Sequence, residues 1–238
     1  MPISKIYNCD RMDFLSKFPD KYFDLIIDDP PYGIGEDGSK NNSRNKIAIA
    51  KSYVAYSGND ADAPPQEYFQ ELIRVSKNQI VWGANHFISR ISIDSHCWIV
   101  WDKDNGASDF ADCELAWTSF QTAVRKFKYR WNGMWQENMK HKEKHIHPNQ
   151  KPVALYGWLL NNYAKLGYKI GSPHMGSQSD RIAAYKLGFD FWGCDKDKHY
   201  FKTGDERFRS ECFGETKMSK GILIQPSLLA YNKHQLSK

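Results

Sequence analysis

The stretch Phe23-Asp24-Leu25-Ile26-Ile27-Asp28-Asp29-Pro30-Pro31-Tyr32-Gly33 decides the fold of this chain. Its first half is apolar and predicts a buried strand. Its second half places a carboxylate, two prolines and an aromatic ring at the strand end, where the prolines stiffen the backbone because each fixes φ and removes an N–H. Such a rim suits a planar ring that is held by its exocyclic amine while the aromatic side chain stacks on it. A plain Pro-Pro-Tyr-Gly turn is the alternative interpretation.

The rest of the chain alternates between strand and helix signals. Apolar runs predict strands at 4–8, 79–82, 97–101, 114–118, 168–171 and 189–194, and an edge strand at 222–224. Helical spacing predicts helices at 10–18, 66–76, 85–90, 152–165, 182–187 and 197–208. This alternation is typical of an α/β fold with a mostly parallel sheet covered by helices on both faces. The polar, Gly- and Asn-rich residues 34–65 predict a long lid or binding loop.

Length and composition favour one large α/β domain in a reducing compartment. The chain has 238 residues, of which 41% are hydrophobic, enough for a sizeable core. No run approaches the ~20 apolar residues of a membrane span, and the N-terminus does not resemble a signal peptide, so no membrane partner is expected. The five cysteines are scattered without Cys-x-x-Cys spacing. This indicates neither a disulfide framework nor a metal site and favours a cytoplasmic location.

The segment 120–151 is basic and interleaved with aromatic residues. Its cations predicted to bind nucleic acid are Arg125, Lys126, Lys128, Arg130, Lys140, Lys142 and Lys144. Phe127, Tyr129, Trp131 and Trp135 lie among them, and the whole chain carries a net charge of +5. Cations alternating with rings predict a nucleic-acid contact surface, with a solvated basic face as the alternative.

The segment 168–195 predicts a second site. It has the order strand, glycine-containing turn, helix, strand, acid. A glycine turn at Gly176 leading into a helix presents backbone N–H groups to an anionic group. Asp195 ends the next strand about twenty residues later, where a carboxylate can accept both ribose hydroxyls of a nucleoside cofactor. A nucleoside with a charged tail beside a clamp for an amine indicates group transfer, with S-adenosylmethionine as the donor.

Four motifs carry a family resemblance. Asp29-Pro30-Pro31-Tyr32 resembles the catalytic motif of amino-methylating DNA methyltransferases, and His147-Pro148-Asn149-Gln150-Lys151-Pro152 resembles their His-Pro-Thr-Gln-Lys-Pro signature. Pro173-His174-Met175-Gly176-Ser177 resembles their cofactor loop, and Phe191-Trp192-Gly193-Cys194-Asp195 the strand whose acid holds the ribose. The catalytic motif precedes the cofactor loop, as in the permuted β class. The resemblance covers roughly residues 3–210 and is closest to compact phage and prophage versions.

The resemblance implies a Rossmann-like S-adenosylmethionine-dependent methyltransferase fold and a role for each motif. Asp29, Pro30, Pro31 and Tyr32 would form the catalytic clamp for the N6 amine of a flipped-out adenine in DNA. The residues implied to lie at the cofactor are Asp10, Asp28, Lys151, Ser172, Pro173, His174, Gly176, Ser177 and Asp195. The implied organisation is a catalytic half at 1–119, a target-recognition region at 120–146, a cofactor half at 147–210 and a tail at 211–238. A homodimer is left open.

Two positions depart from the family pattern. Ser172 stands where the cofactor loop begins with Asp, and Gln178 stands where the family has a second Gly. The missing carboxylate predicts weaker cofactor binding, with Asp28 as a substitute for its charge, and Ser172→Asp is expected to strengthen binding. The alternatives are cytosine-N4 methylation, an RNA or protein-glutamine methyltransferase, and a catalytically weakened DNA-binding relative.

Overall fold

The computed structural model describes residues 1–35, 62–106, 111–132, 135–218 and 221–224. The strands are β1 (Ser4–Tyr7), β2 (Phe23–Asp28), β3 (Ser76–Trp82), β4 (Ile99–Asp102), β5 (Cys113–Thr118), β6 (Arg125–Lys128), β7 (Trp131–Asn132), β8 (Trp135–Gln136), β9 (Lys169–Ser172), β10 (Asp190–Cys194), β11 (Glu215–Met218) and β12 (Gly221–Ile224). The α-helices are α1 (Arg11–Leu15), α2 (Gln66–Val75), α3 (Val153–Tyr163), α4 (Ser179–Leu187) and α5 (Lys198–Phe213). Short 3₁₀ turns span Ala84–His86 and Ile88–Arg90.

Eight strands form the main sheet in the order β1-β10-β9-β2-β3-β5-β4-β6. All neighbours pair in parallel except β5, which is antiparallel to both β3 and β4. The predicted α/β fold with a mostly parallel sheet is therefore confirmed. Because β5 runs the other way, its first residues lie at the edge where the parallel strands end.

The sheet is covered on both faces, as the pattern of β2 requires. Side chains alternate across a strand, so Leu25 and Ile27 pack on one side while Ile26 packs on the other. Phe23, the first residue of β2, departs from this alternation and packs on the side of Ile26. The first side is covered by α3 and α4, and the second by α1 and α2. α5 packs on α4. A strand buried on both faces reads as a continuous apolar run, which explains the sequence of β2.

The chain changes direction across the sheet between β2 and β9. From β2 the chain continues through α2 to β3 on one side, and from β9 through α4 to β10 on the other. Ligands of open α/β sheets bind at such a switch point, outside the carboxyl ends of the strands. The rim after β2 and the turn after β9 therefore flank one crevice.

The predicted strands of the main sheet and the helices that cover it are confirmed, with shifted ends. The helix predicted over 85–90 is wrong, because Ala84–His86 and Ile88–Arg90 form two short 3₁₀ turns. The helix predicted over 10–18 ends at Leu15, and the one predicted over 197–208 continues to Phe213, where Gly214 ends it with φ 70°. Residues 222–224 form a strand, but it pairs with β11 in a separate two-stranded sheet rather than at the main edge. Most of the loop predicted at 34–65, namely 36–61, lies outside the described residues, as do 225–238. Within the described ranges, no helix is long and apolar enough to cross a membrane.

Candidate active site

Asp28 links the end of β2 to the turn that follows β9 through hydrogen bonds of its side chain. Its side chain is fully buried, and its Oδ1 lies 2.8 Å from Nδ1 of His174, while its Oδ2 accepts the Tyr68 hydroxyl at 2.7 Å. Arg11 approaches Nε2 of the same histidine at 3.2 Å, so the imidazole proton is assigned to Nδ1, which donates to Asp28. Both Asp28 oxygens are thus engaged. The carboxylate therefore links these two segments, and its predicted role at the cofactor stays a prediction.

Asp29, the next residue, belongs to a buried cluster of charges. Lys151 Nζ lies 2.5 Å from Asp29 Oδ1 and 3.1 Å from Glu114 Oε2. Tyr32 completes the cluster: its hydroxyl donates toward Asp29 Oδ1 at 2.9 Å and receives a hydrogen bond from Lys151 at 3.0 Å. Lys103 pairs with the other Glu114 oxygen at 2.5 Å. The contacts to Asp29 all use Oδ1, and within the described part of the chain nothing bonds Oδ2.

Burial and like charge separate the pKa values of the two carboxyls. Burial raises the pKa of Asp29; Lys151 opposes that rise and Glu114 adds to it. Burial also acts on Glu114, but Lys151 and Lys103 together lower its pKa to about 2. For Lys151, the attraction of Asp29 and Glu114 outweighs the effect of burial and raises the pKa. Lys151 is therefore charged, and it is the cation that favours the ionised form of Asp29.

The Tyr32 ring is held by close backbone packing. Its face stacks on His86, with ring centroids 5.5 Å apart and planes at 16°. Gly83 lies directly beneath it with φ 67°, and a Cβ at that position would stand 2.1 Å from the tyrosine ring. Only glycine fits this approach and this backbone conformation at once. The ring position that the rim requires thus depends on a residue fifty positions away.

The turn after β9 is closed by the acid that ends β10. The N–H of Gly176, which has φ 47°, donates to Asp195 Oδ2 at 2.8 Å, and the Asp197 N–H donates to Oδ1 at 2.8 Å. Burial raises the pKa of Asp195 to about 6 despite these two bonds. Each carboxylate oxygen accepts one backbone bond and has a second lone pair for another donor. Asp10, an exposed residue, caps α1 by accepting the Met12 N–H at 2.8 Å.

The two departures from the family pattern are compensated by neighbours. The Ser172 hydroxyl hydrogen-bonds the carboxyl of Asp180, a buried residue in the first turn of α4 whose pKa burial raises to about 7. A carboxyl group is therefore available beside Ser172 from a different element. Gln178 has φ 60°, the left-handed conformation for which glycine is favoured. Its amide donates to Phe201 O and accepts from Arg181, and Gly204 leaves room for its side chain.

The rest of the cofactor turn is fixed by backbone contacts. The Pro173 carbonyl accepts a hydrogen bond from the buried Cys194 thiol at 3.1 Å. Arg207 donates to the Ser177 carbonyl at 2.9 Å, and the hydroxyls of Ser177 and Ser179 lie 3.2 Å apart. These contacts hold the residues predicted at the cofactor in one rigid turn at the N-terminus of α4.

The basic segment is anchored to both halves of the fold. Its β6 is the edge strand of the main sheet, beside β4. Glu143 accepts the N–H of Val153 at the start of α3 at 3.0 Å and pairs with Arg207 of α5 at 2.7 Å. Three of its predicted DNA-binding cations are paired with acids: Lys126 with Asp102 at 3.3 Å, and Lys128 and Arg130 with Asp104 at 2.9 and 2.6 Å. Arg125, Lys140, Lys142 and Lys144 are exposed.

Sequence reasoning predicted most of these residues but not all of the contacts. The resemblance places Lys151 at the cofactor, and the structure brings its ammonium group to Asp29. Glu114, Lys103 and Asp180 were not predicted. Glu114 is an acid at the start of β5, and the start of an antiparallel strand lies at the same edge as the ends of the parallel strands. The sequence does not give the direction of β5, so this signal could not be used.

Known proteins resemble this chain in sequence and in fold. Residues 66–206 match a protein-family model described as DNA methylase. The type II methyltransferase M2.DpnII of Streptococcus pneumoniae is 25% identical over 243 residues, covering 87% of this chain and 90% of that protein. The crystal structure of the M1.HpyAVI–SAM complex has a TM-score of 0.55 at 20% identity, covering 85% of this chain and 98% of that one. The cytosine-N4-specific PvuII DNA methyltransferase has a TM-score of 0.54 at 12% identity, covering 87% of both chains.

Proposed function

The chain belongs to the DNA methylase family, and on that premise we propose that it transfers a methyl group from S-adenosylmethionine to the N6 amine of an adenine in DNA. The observation that carries this proposal is the buried cluster of Asp29, Tyr32, Lys151 and Glu114 at the end of β2, across the crevice from the Gly176 turn. The cluster holds a carboxyl acceptor at the point where an amine would react, and Lys151 favours its ionised form. The turn offers a place for the donor.

The residues after β9 and β10 fit the cofactor. S-adenosylmethionine supplies an electrophilic methyl group on a sulfonium when it is bound. Asp195, with a lone pair left on each oxygen, would accept the ribose hydroxyls. Asp180 is a buried carboxylate that no ion pair reaches within the described ranges, and it would face the cationic methionine part. These are the contacts that a nucleoside with a positive tail requires.

The chain's own residues explain how an unreactive amine is activated. The lone pair of an aromatic amine is delocalised into its ring, so the nitrogen is a poor nucleophile. Asp29 Oδ2 and the Pro30 carbonyl would accept its two N–H bonds, which favours a more tetrahedral nitrogen. These bonds strengthen as the nitrogen becomes positive, so they act in the transition state. Lys151 keeps Asp29 ionised, and Tyr32 would stack on the base, offsetting much of the cost of flipping it out of the duplex.

Adenine is favoured over cytosine by the first residue of the rim. In the family that the motif resembles, Asp before Pro-Pro-Tyr goes with adenine, and Ser with cytosine N4. Cytosine-N4 methylation is the second candidate, because the fold is shared with the cytosine-specific PvuII enzyme. We further propose a permuted, β-class motif order, since the Asp29 rim precedes the Gly176 turn in the chain. Residues 120–146 would form the target-recognition region between the halves 1–119 and 147–210.

The test is transfer of an isotope-labelled methyl group into plasmid DNA, followed by nucleoside mass spectrometry. The expected product is N6-methyladenine from the wild type and none from Asp29→Ala. Label in cytosine would favour the second candidate, and label in neither base would refute DNA methylation. Asp13→Ala, at an exposed residue of α1, controls for the effects of mutagenesis and purification and should methylate like the wild type.

A further inference from the structure

A shallow groove lies beside the catalytic cluster and is separate from it. Its volume is about 430 Å³, and it is lined by Asp104, Asn105, Gly106, Arg130, Asn132 and Trp135. Lys103, which precedes the first of these in the chain, pairs with Glu114 of the catalytic cluster at 2.5 Å. The groove is therefore next to the place where DNA would present its target base.

We infer that this groove reads a guanine of the recognition sequence, an inference that rests on the proposed function. The chemistry of its walls is that of base-edge readout. A guanidinium fork matches the two acceptors on the major-groove edge of guanine, and this pairing is the commonest specific contact between proteins and DNA. Asn132 adds an amide that can donate and accept.

Asp104 orients the fork. Its Oδ2 lies 2.6 Å from Arg130 Nη2, which restricts the guanidinium and leaves its other N–H groups for a ligand. The orientation is obtained at the expense of backbone strain, because Asp104 has φ 51°, a left-handed conformation uncommon outside glycine. Strained residues are concentrated at binding sites, where the surrounding structure maintains them.

Two further features point to a ligand. Trp135 is 61% exposed, although the neighbouring cross-strand pair of Trp131 and Gln136 is buried. It is paired with Asn132 across β7 and β8, so the ring and the amide share one face of the ribbon. On the groove floor, Asn105 donates to Ala111 O at 2.6 Å, while its buried Oδ1 has no partner in the described part of the chain. A large exposed ring beside polar groups is the arrangement expected for stacking on a base.

The inference differs from phosphate binding in a measurable way. A phosphate contact is satisfied by either Lys or Arg and weakens binding to all sequences alike when it is lost. A bidentate contact to guanine requires the planar fork, so Arg130→Lys is not conservative there. Its loss reduces discrimination at one position of the recognition sequence and leaves the other positions unchanged.

The experiment compares kcat/KM for the cognate duplex with that for duplexes in which one base pair of the site is changed at a time. The site itself is first determined with the wild type by modified-base sequencing. We expect Arg130→Lys and Asn132→Ala to reduce discrimination at one guanine position about tenfold or more, with other positions within about twofold. Asn162→Ala, on the exposed side of α3, is the matched control and retains full discrimination. Thermal unfolding checks that each variant is folded.

The outcomes separate this inference from the proposed function. If the wild type methylates a defined site but both variants discriminate as it does, the inference is wrong and the proposed function stands. If the variants lose discrimination at a position that is not guanine, or lose it equally at every position, the inference is also wrong. If the wild type methylates no DNA, the proposed function fails and the inference fails with it.

Discussion

Replacing Lys151 with Met removes the cation between two buried carboxylates while keeping most of the side-chain volume. Lys151 is only 5% exposed and lies 2.5 Å from Asp29 and 3.1 Å from Glu114. Without it, burial and the charge of Glu114 both raise the pKa of Asp29, and the hydrogen bond from Tyr32 remains to oppose them. We therefore expect less of the ionised Asp29 at neutral pH, and a lower methyl-transfer rate that recovers as the pH is raised.

The size of the effect follows from the geometry. At an effective dielectric constant of about 20, attractions over these two distances amount to roughly 7 and 5 kcal/mol before desolvation is counted. Removing one partner of a buried pair costs about 3–5 kcal/mol net. If this cost is divided equally between the two carboxylates, the ionised form of Asp29 is disfavoured by about 1.5–2.5 kcal/mol. At about 1.4 kcal/mol per tenfold change, the acid dissociation constant of Asp29 falls roughly 10- to 70-fold.

The assay is single-turnover methyl transfer as a function of pH, together with calorimetric titration of S-adenosylmethionine. For Lys151→Met we expect the acidic limb of the rate profile to move to higher pH and the Kd of the cofactor to change little. Lys151→Arg, which keeps the charge, is the matched control, and its acidic limb should stay close to that of the wild type. A cofactor Kd weakened more than about tenfold, with an unmoved acidic limb, would refute the reasoning and assign Lys151 to the methionine part of the cofactor.

Three further predictions concern the same sites. Asp29→Ala should lower the transfer rate by about 10²–10³ with cofactor affinity nearly intact, and near-normal turnover would contradict its assigned role. The position of Asp180 reverses the sequence-based expectation for Ser172→Asp: the variant should lower the Tm and fail to tighten cofactor binding, because the new carboxylate meets Asp180. Tighter binding in calorimetry would support the original expectation instead. Lys126→Ala should flatten the salt dependence of DNA binding by less than the one unit of slope expected for Lys140→Ala, because an acid already pairs with Lys126.

The fold and the rim were predictable because their signals are local. The apolar run of β2, the two prolines after it and the spacing from Gly176 to Asp195 each describe a few consecutive residues. The α/β architecture followed from the alternation of such signals.

Contacts that depend on strand order were not predictable. Glu114 reaches Asp29 only because β5 is inserted antiparallel between β3 and β4, and no local pattern gives that order. Lys151 precedes α3, and its direction is set by where that helix packs. Asp180 of α4 places a carboxyl beside Ser172, where the family pattern has Asp. This substitution of one position by another is visible only once β9 and α4 are placed together.

The central claim is that the Asp29 rim methylates the N6 amine of adenine in DNA. Modified-base sequencing of DNA from cells that express the wild type or Asp29→Ala tests it most directly, since target base and sequence context are read together. We expect N6-methyladenine at a defined sequence with the wild type and its strong reduction with Asp29→Ala. N4-methylcytosine with the wild type, or N6-methyladenine undiminished in Asp29→Ala, would contradict it.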